Sequence, residues 1–296
     1  MGHSKLFTSE SLIICVGFGC NNRCITCMLD GIKEDLKPIS IDYFKRIIEG
    51  AKGKYDRIIL SGSEVTLNDD LEEFLRIVKS SGFKKIQLQT NGRAFHSKEF
   101  TKRIIEAGAN EFFISVLGPD SETHDMQTRV KGSFDEMYDG MNNLSEFDVD
   151  IITNTVINRL NYKLIPDIIK RFSGLKKVCA THLWSYWPMS DRDEKNLLVD
   201  VKLALPFLLS GISIAKENGI DVELKKFPAC LLGEYSDLVC NDLSKIFIDR
   251  KYWTKFYDNK WKCVFSNECK LKNIVCDGFP EAYVKKFGDE REILNK

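Results

Sequence analysis

Histidine is scarce in this 296-residue chain. Its four copies are His3, His96, His124 and His182, and none lies in the cysteine loop at residues 20 to 27. A closed tetrahedral zinc site of mixed Cys/His type has no imidazole to draw on there. An excess of either charge is also missing. Lys plus Arg and Asp plus Glu stand at 43 each, so no overall field argues for nucleic acid, an acidic partner or an anionic membrane. No uninterrupted apolar run approaches the roughly 20 residues that span a bilayer, and the opening MGHSKLFTSE lacks a basic segment followed by an apolar core. A cytoplasmic protein with no nucleic-acid or membrane partner is expected. No low-complexity linker divides the chain, and at 43% apolar residues it can bury one large domain, or a large domain with an appendage.

Cysteine, by contrast, is plentiful, with ten copies. Without an export signal these are expected to be free thiols for metals or catalysis rather than disulfides. Around them two periodicities alternate. Apolar runs at 12–18, 56–62, 84–90, 110–118, 149–157 and 176–184 read as buried strands. Each is followed by helical spacing: a helix capped by Ser40 with Tyr43, Ile47 and Ile48 on one face, then Leu71, Phe74, Leu75 and Val78, then helices near 97–107, up to 146, 163–172 and 197–218. Six strand-helix repeats with strands apolar on both faces predict a parallel sheet clad by helices, either doubly wound or a barrel. In both, ligands gather at the C-terminal strand ends. The repeat stops near Val222, so residues 1–222 are expected to form the core and 223–296 a cysteine-bearing tail packed on it.

The loop GCNNRCITCM (19–28) sets Cys20, Cys24 and Cys27 at C-x3-C-x2-C directly behind the first strand. Three thiolates can hold three corners of a cubic iron-sulfur cluster and leave the fourth iron open. Cys15 sits inside a strand run and reads as core packing. In this spacing and place the chain resembles the radical S-adenosylmethionine (radical SAM) superfamily. The resemblance implies a partial (β/α)6 TIM-type barrel and a [4Fe-4S] cluster whose open iron chelates SAM. It further implies reductive cleavage of SAM to a 5'-deoxyadenosyl radical that abstracts hydrogen from a substrate, with electrons from an external flavodoxin- or ferredoxin-type donor. Further motifs follow the family's order. Gly62, Ser63 and Glu64 stand where relatives carry a Gly-Gly-Glu-Pro type motif for the SAM ammonium, with Ser63 for the middle glycine and Val65 for the proline. Asn91 in QTNG would face the cavity. Ser115 would lie near the ribose or methionine portion, Arg129 would pair with the SAM carboxylate, Asn154 would be a SAM contact, and Met189 would border adenine. One departure is Thr26, where the family commonly has an aromatic residue against adenine.

In the tail, Cys263, Cys269 and Cys276 at C-x5-C-x6-C, joined by Cys230, supply four thiolates. Spacing alone leaves iron-sulfur and zinc both open, and Cys240 stands as an alternative to Cys230. The tail is similar to the twitch or SPASM-like appendages of radical SAM enzymes, which implies a second, auxiliary [4Fe-4S] cluster, and the tail is expected to close the base or flank of the barrel. Cys179 lies in a strand run and reads as packing. The implied reaction is oxidation, cross-linking or epimerisation of a small molecule or ribosomal peptide in natural-product biosynthesis. The first strand begins about a dozen residues in, too short a leader for an independent module, which tilts the expectation toward a small molecule or a peptide delivered separately. The rival readings are a single-cluster enzyme with a zinc-binding tail and an iron-sulfur electron carrier.

Overall fold

A computed structural model describes residues 11–241, 245–255, 260–269 and 276–294. The opening segment read above for an export signal, His3 included, lies outside the described residues. The six expected strands form: β1 (Ser11–Gly17), β2 (Arg57–Gly62), β3 (Lys85–Thr90), β4 (Glu111–Ser115), β5 (Asp150–Ile157) and β6 (Val178–Ser185). Between them run α1 (Ile41–Ala51), α2 (Leu71–Ser80), α3 (Lys98–Ala107), α4 (Ser121–Thr128), α5 (Ser133–Leu144) and α6 (Ile165–Ser173), and α7 (Val201–Glu217) follows β6. Among the described residues every ladder of the sheet is parallel. The sheet does not stop at six. β7 (Asp221–Lys225) continues it past Val222 beside β6, and the short β8 (Lys245–Phe247) joins β1 at the other edge, giving an unclosed eight-stranded order of β7-β6-β5-β4-β3-β2-β1-β8. This is a partial TIM-type barrel with a C-terminal extension.

Local sequence explains the helices. Ser40 caps α1 by accepting the Tyr43 N–H, and Phe44, Ile47, Ile48 and Ala51 form its buried stripe. Tyr43, expected on that stripe, is exposed instead, because Phe44 occupies the inward position one turn before Ile47 and Ile48. In α2 the expected quartet Leu71, Phe74, Leu75 and Val78 is buried as a set. These helices cover the outer face of the sheet in one large apolar core, while Ile59, Phe113, Ile152 and Ala180 pack across the inner face. Among the described residues no helix is long and apolar enough to cross a membrane.

The tail adds α8 (Arg250–Lys255), α9 (Glu281–Phe287) and α10 (Glu290–Leu294). β8 and α8 lie on the flank beside β1, where Tyr252 packs with Cys15, Phe18 and Leu36. α9 sits at the C-terminal strand ends, where Phe279 and Tyr283 pack with Tyr186 and Leu198 of the loop after β6 and with Ile25 of the cysteine loop. The Tyr283 hydroxyl accepts the Val201 N–H at 3.0 Å.

α4 also carries a pH-sensitive group. His124 is buried, its Nδ1 accepts the Leu117 N–H at 3.3 Å, and burial pulls its pKa down from the usual 6.5 to about 4. The native state therefore holds a neutral imidazole, while the unfolded chain takes up a proton below pH 6.5. Stability from this site is present above that pH and is lost as pH falls toward 4. Between pH 7 and pH 5 the loss is about 2 kcal/mol. Urea unfolding of the apoprotein should show His124→Asn to be less sensitive than wild type to acidification over that interval. Equal slopes in the two proteins would contradict the assignment.

Candidate active site

β1 ends at Gly17, and the cysteine loop turns back over the strand ends under two clamps. From α4, the carbonyls of Thr128 and Gln127 accept the N–H groups of Arg23 and Ile25, both at 2.9 Å, so helix-end carbonyls that lack intrahelical partners hold the backbone on either side of Cys24. From the end of β3, Asn91 Nδ2 donates to Asn21 Oδ1 at 2.7 Å. Arg93 donates to the Asn21 carbonyl and to Asn22 Oδ1, each at 2.8 Å, while its Nε is held by Glu136 at 2.6 Å. Lys195 reaches across from the loop after β6 to the Ile25 carbonyl and to Asp30. The sequence reading missed Arg93, Asn22 and Lys195. Arg93 directly follows the Asn-Gly turn at 91–92, and nothing in its own neighbourhood signals a partner about 70 positions away.

Cys20, Cys24 and Cys27 are all half-buried. Cys20 Sγ accepts the Asn22 N–H at 3.3 Å. Burial raises all three thiols, Cys24 to about 12, and the neighbouring sulfurs raise Cys20 and Cys24 further. Ligation needs thiolates, and a bound cationic centre supplies what desolvation withholds. Among the described residues no three His, Cys, Asp or Glu side chains converge closely enough to hold one ion. In a four-iron cube each thiolate caps a different iron, so its ligands need not meet at one point. The donor chemistry of the loop therefore fits such a cluster.

Glu64 lies beside this loop and is buried at 2% exposure. Oε1 accepts the Thr66 N–H at 3.1 Å, the Thr66 hydroxyl at 2.7 Å and the Thr90 hydroxyl at 2.6 Å, and Oε2 accepts the Asn91 N–H at 2.6 Å. It thus ties the end of β2 to the end of β3. Each carboxylate oxygen has about two acceptor positions; three donors share the two on Oε1 and one donor uses Oε2, so a single lone pair on Oε2 is what Glu64 can offer a ligand. Burial raises its carboxyl above the usual range, and the four donors pull the other way. Glu64→Gln presents amide hydrogens to donors and is expected to cost about 1–3 kcal/mol in unfolding of the apoprotein; an unchanged urea midpoint would remove the clasp.

The remaining predicted residues divide. The N–H groups of Ser63 and Glu64 pair with the carbonyls of Gly17 and Gly19 at 3.1 and 2.9 Å, which brings Gly62, Ser63 and Glu64 onto the cysteine loop. Ser115 and Asn154 are register partners, and the same row continues through His182 to Glu223. There Glu223 pairs with Lys225 at 3.0 Å, another group the sequence reading passed over. Ser63 Oγ and Asn154 Oδ1 are buried without a hydrogen-bond partner, a deficit that a polar ligand lying across the strand ends would remove. Arg129 caps α4 in the left-handed conformation at φ 57°, exposed, with its carbonyl accepting from Arg23. Met189 is half-buried in the loop after β6. A cleft of about 590 Å³ opens against Gly17, Cys20 and Glu64, with Lys33, Asp69 and Asp70 on its wall.

In the tail, Cys230, Cys269 and Cys276 lie close enough that the latter two raise the Cys230 thiol. Burial lifts Cys263 to about 11, with Glu290 and Cys276 adding to the shift. Cys240 is buried, its N–H on the Leu224 carbonyl. Cys15 is buried in the core beside Tyr252, and Cys179 occupies the irregular step of β6, its Sγ toward the Ile151 carbonyl.

Residues 14–172 match the radical SAM superfamily, and the chain belongs to that family of enzymes. The family's cofactors are a [4Fe-4S] cluster and SAM. Among curated relatives, the chain is 26% identical over 217 residues to the Fe-coproporphyrin III synthase of Methanosarcina barkeri, covering 72% of this chain and 52% of that protein. It is 30% identical over 170 residues to a probable GTP 3',8-cyclase of Saccharolobus islandicus, covering 56% and 54%. The chain spans about half the length of these relatives. In fold it is similar to Streptococcus suis SuiB bound to S-adenosylmethionine, with a TM-score of 0.64 and 14% identity over 94% of this chain and 72% of that one.

Proposed function

We propose that this chain holds a [4Fe-4S] cluster on Cys20, Cys24 and Cys27, binds SAM across the neighbouring strand ends and acts on a substrate seated within the barrel. The observation that carries this reading is the clamping of a C-x3-C-x2-C loop at the C-terminal end of β1 to the ends of β2 and β3. With cluster and SAM bound, the chemistry supplied is a 5'-deoxyadenosyl radical able to take hydrogen from a C–H bond. The protein's own residues position and exclude water. Gly62, Ser63 and Glu64 shape the seat of the methionine portion, with Asn91 bridging that seat to the cysteine loop. Ser115 and Asn154 present polar atoms on the inner face, Arg129 offers a guanidinium to the SAM carboxylate, and Met189 borders the adenine. Phe113, Ile59 and Ile152 below them keep the lumen dry.

Cys230, Cys263, Cys269 and Cys276 are read as the ligands of an auxiliary [4Fe-4S] cluster, supported by the nearness of Cys269 and Cys276 to Cys230 and of Cys276 to Cys263. Reducing equivalents come from a flavodoxin- or ferredoxin-type donor. The substrate is a small molecule or a peptide, undergoing oxidation, cross-linking or epimerisation. The curated relatives' names point to small molecules, and the SuiB fold has also been seen bound to the precursor peptide SuiA.

Anaerobic reconstitution with iron and sulfide, followed by incubation of the reduced protein with SAM, tests the reading. About eight irons per chain and formation of 5'-deoxyadenosine are expected. About four irons plus zinc would replace the auxiliary cluster with a zinc module. An intact cluster that yields no 5'-deoxyadenosine would leave an electron carrier. In the same assay Glu64→Gln should bind SAM more weakly at unchanged iron content.

A further inference from the structure

A buried carboxylate stands among the tail thiols. Glu290, the first residue of α10, is 2% exposed. Its Oε2 accepts the N–H of Val264 at 3.1 Å, one position after Cys263, whereas its Oε1 is buried with no hydrogen-bond partner. The carboxylate lies against the Cys263 thiol and bears on the thiol of Cys230 as well. A carboxylate removed from water with only the weak thiol donor of Cys263 beside its unpaired oxygen is costly, and side chains in that position are commonly paired with a cation or a metal. The division of labour between the two oxygens matters too. Ligating carboxylates are themselves held by a hydrogen bond, which fixes the direction of the oxygen that binds the metal. Val264 supplies that hold.

We propose that Glu290 is an oxygen ligand of the tail metal centre through Oε1, able to close the corner that Cys230 otherwise holds. This rests on the tail thiols binding a metal, as proposed above. Four thiolates and one carboxylate exceed the four corners of a cube by one. Cys230 is the exposed member of the set, so its corner is the one that can be opened to a substrate while Glu290 keeps the iron ligated.

The test uses full-length protein carrying Cys24→Ala, so that iron counts report the tail alone, reconstituted with iron and sulfide and challenged with a chelator. About four irons are expected in this parent, in parent plus Cys230→Ala and in parent plus Glu290→Gln, with the electron paramagnetic resonance signal of the reduced centre shifted in both. Combining Cys230→Ala with Glu290→Gln should strip the tail of iron, and combining Cys230→Ala with Glu290→Cys should restore it. Gln retains an acceptor for the Val264 N–H, so a merely structural Glu290 predicts a double variant that holds as much iron as Cys230→Ala alone, and that result overturns the proposal. Loss of all tail iron in Cys230→Ala alone also overturns it, since Glu290 would then close no corner. A parent with no metal in the tail instead fails the reading of the tail on which the proposal stands.

Discussion

Cys24→Ala is expected to reduce 5'-deoxyadenosine formation from SAM to background while leaving the apoprotein folded. The two effects separate because of how the loop is held. The residues on either side, Arg23 and Ile25, donate their N–H groups to carbonyls at the end of α4, and Arg93 grips Asn21 and Asn22. None of these bonds uses the Cys24 side chain. Removing one half-buried sulfur therefore deletes a ligand without releasing the loop, and the unfolding midpoint should move by no more than about 1 kcal/mol in equivalent stability. Cys269→Ala, in the tail, is expected to spare part of the SAM cleavage, now uncoupled from substrate, while product formation stops. The measurement is 5'-deoxyadenosine and product quantified by chromatography for both variants. If the two lose cleavage to the same degree, the assignment of SAM cleavage to the loop and of later chemistry to the tail is wrong.

What the sequence made legible follows from where the decisive physics is local. Strands β1, β2 and β4 hold continuous apolar runs because they are buried on both faces, and the helices carry local caps such as Ser40 and Ser97. A glance at β7 shows the opposite case. DVELK alternates charge with apolar residues and reads as surface, yet Glu223 and Lys225 are buried and paired with each other along one face of the strand. Only the sheet partner β6, some 40 positions away, makes that burial possible. β8 is three residues long and has no periodic signal at all. The active-site loop shows the same division. Its cysteine spacing is a local pattern and could be recognised at once, whereas the grip of Arg93 and the hold of Thr90 and Asn91 on Glu64 are long-range facts. The sequence identified Glu64 by its place in a motif. It could not indicate that all but one of its acceptor positions are already spent on holding two strand ends together.

Gly62 carries the largest expected stability effect. It adopts φ 141°, a conformation that L side chains rarely enter, and a Cβ there would stand 2.0 Å from the Gly17 carbonyl oxygen. That oxygen is fixed backbone. It accepts the Ser63 N–H at 3.1 Å, beside the bond from the Glu64 N–H to the Gly19 carbonyl. A methyl group at position 62 must therefore push the end of β2 away from the end of β1, breaking both bonds that lay the Ser63–Glu64 turn on the cysteine loop. Backbone strain of about 1–3 kcal/mol and overpacking of similar size add, so Gly62→Ala should lose about 3–5 kcal/mol in urea unfolding of the apoprotein. Gly19→Ala provides the control within the same loop. A Cβ at Gly19 meets nothing within 4 Å, and this variant should unfold within about 0.5 kcal/mol of wild type. The pair also separates two reasons for a glycine at position 62. If close approach of the two strand ends is what requires it, Gly62→Ala lowers stability in the absence of any cofactor. If glycine is needed only to admit a ligand, the apoprotein variant would unfold as wild type does, and the loss would appear only in SAM binding after reconstitution.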